Sequence, residues 1–129
     1  MKMRICSPFV GVTLIAGQIL TQGAAAQTQA AMGGGSAARY EKANRELVVV
    51  YGNLMAKITR EGQASLQASE AIWTRFRDQE CDFEALGSKG GSINGMVVSD
   101  CKSRLTKVRI AELNRQLNCQ EGDTSCGNQ

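Results

Sequence analysis

The chain has 129 residues, 43% of them hydrophobic and 21% charged, with five cysteines, one proline and no histidine. That length holds one small domain, and the missing histidine excludes any His-bearing triad, His-ligated zinc or His proton shuttle within the chain. The formal charge of +3 depends on the first segment, whose loss leaves about +1 and no basic face suited to nucleic acid.

Residues 1–26 have the pattern of a secretory signal. Lys2 and Arg4 form a basic start, Phe9 to Leu20 an apolar stretch, and Ala24-Ala25-Ala26 a set of small side chains for cleavage before Gln27. The apolar stretch is short of the roughly 20 residues a membrane helix needs. Cys6 precedes it, whereas lipidation requires a cysteine after it, so no stable membrane anchor is expected. Removal of Lys2 and Arg4 leaves 13 basic residues against 12 acidic ones. The expected location is the periplasm or the medium outside a bacterial cell.

Cleavage leaves Cys81, Cys101, Cys119 and Cys126. An even number in an exported small chain reads as two disulfides. Three pairings are possible; Cys81–Cys101 and Cys119–Cys126 are favoured because each encloses a short glycine-containing segment. A four-thiolate metal site would need a C-x2-C element, which the chain lacks, so no metal or other cofactor is expected.

Residues 27–37, rich in Gln, Ala and Gly, read as a flexible tether. A helical domain follows over 38–119, and 120–129 reads as a flexible tail. In the first helix Tyr40, Ala43, Leu47, Val50, Tyr51, Leu54 and Ile58 recur at helical spacing, and Gly62 marks its end or the turn beyond. The second runs from about Ala64 to Leu86, with Leu66, Ile72, Trp73, Phe76 and Phe83 on one broad face expected to be core. Glycines then break the pattern over 87–95. A third helix runs from about Met96 to Leu117, with Val98, Cys101, Leu105 and Val108 in register. The fold class is all-α: a small antiparallel three-helix bundle clipped by disulfides, with a flexible N-terminal tether.

Leu66-Gln67-Ala68-Ser69-Glu70-Ala71-Ile72-Trp73-Thr74-Arg75-Phe76-Arg77-Asp78-Gln79-Glu80-Cys81 resembles the L-x-x-A-Q-x-x-W-x-x-F-R-D-x-x-C pattern of the family named for the lysozyme inhibitor LprI. The likeness continues through Gly90-Gly91-Ser92 and Cys101 to Leu105-Thr106-x-x-Arg109-x-x-Glu112-Leu113, and Leu47-Val48-x-x-Tyr51 stands where that family has L-N-x-x-Y. Val48 replaces an Asn, Glu70 replaces a Gln, and an early cysteine pair has no counterpart before Tyr40. The resemblance implies an exported helical domain that inhibits a host lysozyme, a protein partner rather than a substrate.

Arg77, Arg109 and Glu112 fall on otherwise apolar helix faces. Unpaired charges there would cost several kcal/mol each, roughly, so an Arg–Glu network joining the second and third helices is expected; Thr106 is a structural residue of the resembled motif. Asp78, Glu80, Asp82 and Glu84 make two like-charge i,i+4 pairs. They form a solvated face or meet a basic partner; a two-carboxylate hydrolytic site needs a cleft that a helix end lacks, and no enzyme is expected. The 87–95 loop, with Gly90, Gly91, Ser92 and Asn94, allows close backbone approach to another surface. Held at its base by Cys81–Cys101, it suits insertion into a lysozyme groove while the acidic residues meet the basic rim. The alternative is a non-catalytic assembly protein of the envelope that contacts another secreted protein.

Overall fold

The computed structural model describes residues 18–120 and 122–127, with side chains from residue 27 onward. The signal segment expected over 1–26, Cys6 included, therefore lies outside the described residues except for the backbone of 18–26. Three helices account for most of the rest: α1 (Gln18–Lys57), α2 (Arg60–Glu84) and α3 (Asn94–Leu117), with a 3₁₀ turn at Leu86–Ser88 before α3. There is no strand among the described residues.

The directions of the helices follow from their cross-links. Ser92 meets Gln29, Arg39 meets Asp100, and Lys57 meets the Leu117 carbonyl; residue numbers rise together, so α1 and α3 run parallel. Glu70 meets Arg109 and Asp78 meets Lys102, so α2 runs opposite to α3. The result is an up-down-up bundle in which each sequence neighbour is antiparallel, as expected.

The core lies between α1 and α3. Leu47, Val50, Leu54 and Ile58 pack with Ile110 and Leu113, and Tyr51, Met55, Leu66, Trp73 and Leu117 close around them. Ser36, Ala43, Ser103 and Thr106 are also buried. Small side chains at these positions let α1 and α3 approach closely, since interaxial distance is set by the residues at the contact.

The structure corrects the sequence reading in five places. First, 27–37 is helix, continuous with α1, rather than a flexible tether. Alanines on both sides favour helix, and tertiary packing supplies what the three glycines withhold. Ser36 is 1% exposed, and Arg39 reaches both the Ser36 hydroxyl and Asp100 at 2.8 Å. Second, the α1–α2 turn is Ile58–Thr59, and Gly62 is a buried residue of the first turn of α2. Thr59 caps that helix by accepting from the Gly62 amide at 3.2 Å, while Gln63 donates to the Met55 and Ile58 carbonyls that end α1.

Third, Ile72, Phe76 and Phe83 are more than half exposed, not core; Trp73 alone of that aromatic set packs against the core. The buried Cys81 and Arg77 fix the inward face of α2. At about 100° per residue, Phe83 lies about 200° round from Cys81. Val108 is likewise exposed, because α3 buries the face of Ser103, Thr106, Ile110 and Leu113. Fourth, Asn94 and Gly95 belong to α3, not to the connection. Fifth, residues 122–127 are not loose tail: Gln116 receives the Gly127 amide at 2.7 Å and donates to the Ser125 carbonyl, and Cys119 is bonded to Cys126.

Candidate partner-binding corner

The α2–α3 connection is built from its own residues. The Ser88 hydroxyl donates to the Ala85 carbonyl at 2.9 Å, and the Asn94 amide donates to that carbonyl and to Ser88 Oγ. The Gly91 amide donates to the Ser88 carbonyl at 2.9 Å. Gly90 has φ 79°, a left-handed conformation that a side chain would strain. A Cβ at Gly91 would stand 3.1 Å from the Ser88 carbonyl oxygen, so this glycine is needed for a close approach. Cys81–Cys101 lies beneath, with a Cα–Cα separation of 5.5 Å.

The sequence placed Gly90, Gly91, Ser92 and Asn94 together in a recognition surface. Gly90, Gly91 and Ser92 are exposed at the tip, whereas Asn94 is half-buried and occupied in holding the corner. Ser92 also donates to Gln29 Oε1 at 3.2 Å, which ties the tip to α1. Sequence reasoning missed this brace because it assigned residue 29 to a tether.

The acidic end of α2 is less acidic than its sequence. Asp78 pairs with Arg77 at 2.9 Å and with Lys102 at 3.2 Å, and Glu84 pairs with Arg104. Burial works to raise the Asp78 carboxyl, but hydrogen bonds and charge from Arg77 and Lys102 outweigh it and hold it below the ordinary carboxylate range. Glu80 and Asp82 have no ion pair among the described residues; Asp82 is exposed and Glu80 half-buried. Those two carboxylates are the ones left to face a cation.

Of the expected network, Arg109 joins α3 to α2 through Glu70, with Glu112 beside it on α3, whereas Arg77 makes no ion pair with α3 among the described residues and forms a separate cluster facing Tyr40 of α1. Arg77 is 6% exposed, bonded to Asp78 and stacked over Tyr40 and Trp73 at 5.4 and 5.2 Å. Arg109 bonds Glu70 at 2.9 Å and Glu112 at 3.2 Å, and lies 5.8 Å from the Trp73 ring. Trp73 thus faces two guanidinium groups, one from its own helix and one from α3. Glu70, one of the departures from the resembled pattern, supplies the α2 carboxylate that pairs with Arg109. Thr106 is fully buried, its hydroxyl without a hydrogen-bond partner among the described residues.

At the opposite end of the bundle a cleft of about 540 Å³ opens between Leu54, Leu66 and Leu113, with Arg109 and Glu112 at its side and Ser125 to Gly127 across its mouth. No local pattern in the chain signals it, since its walls come from three helices and its mouth from the C-terminal loop folded back. No helix among the described residues is long and apolar enough to cross a membrane.

Over residues 21–113 the chain matches the family profile described as Lysozyme inhibitor LprI. It is also similar to an uncharacterized protein of Rhizobium meliloti (strain 1021), 33% identical over 57 residues, which are 44% of this chain and 41% of that protein. The chain thus matches less than half the length of that relative. No solved structure matches.

Proposed function

The chain belongs to the lysozyme inhibitor LprI family, and on that premise we propose that it is an exported, non-catalytic protein that binds a lysozyme-type muramidase. Two disulfides suit an oxidising compartment such as the bacterial envelope or the medium beyond it. In this reading the tip at Gly90, Gly91 and Ser92 enters the substrate groove of the muramidase, and Glu80 and Asp82 face its basic rim.

The observation that carries the reading is the stiffness of the corner. Its base is a disulfide, its interior is held by Ser88 and Asn94, and its tip is tied to Gln29. A loop already fixed in one conformation loses little entropy when it docks. The role of Glu80 and Asp82 would be to steer encounter more than to add affinity.

The test is wall lysis by a panel of lysozymes, with the purified chain added in increasing amounts. Wild type should slow at least one of them in a saturable way. Ser92→Trp, which crowds the tip and removes the bond to Gln29, should weaken inhibition by about tenfold or more, with thermal unfolding changed little because that bond is exposed. Undiminished inhibition by that variant would remove the corner from the mechanism. No inhibition by wild type, together with co-purification on another secreted envelope protein, would favour the assembly role instead.

A further inference from the structure

Both phenylalanines among the described residues lie outside the core. Ile72 is 61% exposed, Phe76 52%, Phe83 68% and Leu86 56%. Along α2, Ile72, Phe76, Gln79 and Phe83 follow spacings of four, three and four, the repeat of a coiled-coil seam rather than of a solvated face, and exposed Leu86 follows in the 3₁₀ turn beyond the helix. Cys81, bonded to α3, lies on the other side of the helix from this seam. The seam is therefore free of the bundle's own packing.

Its flank says what covers it. Arg75 and Asp82 are exposed, seven residues apart, and so lie on the same edge of the seam. Neither has an ion pair among the described residues. When two copies of such a helix pair antiparallel, each edge meets itself in reverse. We propose that α2 pairs with α2 of a second copy of this chain, antiparallel about a two-fold axis near residues 77 and 78.

In that register Ile72 packs on the second copy's Phe83, and Phe76 on the second copy's Gln79. Arg75 faces the second copy's Asp82 twice over, once on each side of the axis, as an isologous interface requires. The single polar seam residue, Gln79, disfavours sliding to another register. A foreign helix would cover the same apolar groups, but nothing about it would require the charges on this edge to be complementary to themselves. The seam is short, so the pairing is concentration-dependent; in the paired form Asp82 is committed to the second copy's Arg75, and it faces a cationic partner only in the monomer.

Sedimentation velocity of the purified chain over a range of concentrations tests this. Wild type should move from a monomeric to a dimeric mass, and Phe76→Lys should raise the dissociation constant by about tenfold or more. Arg75→Glu and Asp82→Arg should each weaken the dimer, while the double reversal should restore it. A monomer at every concentration would overturn the proposal, whatever other protein bound the seam. So would a dimer indifferent to Phe76→Lys, or a double reversal that restores nothing.

Discussion

The charged residues on the inner faces of α2 and α3 behave as their positions demand. Arg77 and Arg109 are tolerated because each has a carboxylate and an aromatic face as neighbours. Asp78 and Asp100 are both held below the ordinary carboxylate range. For Asp100 the main cause is the hydrogen bond from Arg39, opposed by partial burial and helped by Ser36. Unfolded carboxyls take up protons near pH 4, before the folded ones do. The stability these groups confer is thus complete above that pH and is lost as pH falls through their lower folded values. Acid unfolding followed by circular dichroism should show this loss beginning near pH 4, with Asp78→Asn and Asp100→Asn each flattening it; an unchanged acid limb in both would contradict the pairing. Thr106 makes the opposite case, a polar group inside with nothing to bond. Thr106→Val keeps its shape and removes the hydroxyl, and should raise stability by about 1 kcal/mol in denaturant unfolding.

At the scale of elements, the three helices and the turn chemistry between the second and third could be read from the chain, because periodicity and a glycine cluster are local signals. The cysteine pairs could be read too, since each brackets one segment. The inward face of α2 could not. Ile72, Phe76 and Phe83 are as apolar as a core stripe, and only the orientation imposed by Cys81 and Arg77 shows that they point outward. The N-terminal half of α1 was hidden for a related reason: Gly33-Gly34-Gly35 is a poor helix former by itself, and its helix depends on α3 alongside. Cys81–Cys101 closes a separation of 20 residues, which on the chain-entropy estimate is worth about 3 kcal/mol. Cys81→Ser and Cys101→Ser should each lower the thermal midpoint substantially, and equal melting of reduced and oxidised protein would contradict the clip.

At the scale of the molecule, the bundle separates three surfaces. The stiff corner stands at one end, the cleft under the C-terminal loop at the other, and the apolar seam of α2 runs along the side. The corner was legible as a glycine-rich connection, yet its division of labour was not: Asn94 serves the loop itself, while Gly90, Gly91 and Ser92 are left outside. Two of the four acidic residues near it are already neutralised by α3, so electrostatic steering rests on Glu80 and Asp82. The measurement that bears most directly on the function is the titration of the purified chain into lysozymes acting on cell wall. Slowed lysis that saturates as chain and enzyme approach equal amounts is the expected result. Lysis that proceeds at its full rate for every lysozyme, even under a large excess of the chain, would contradict it.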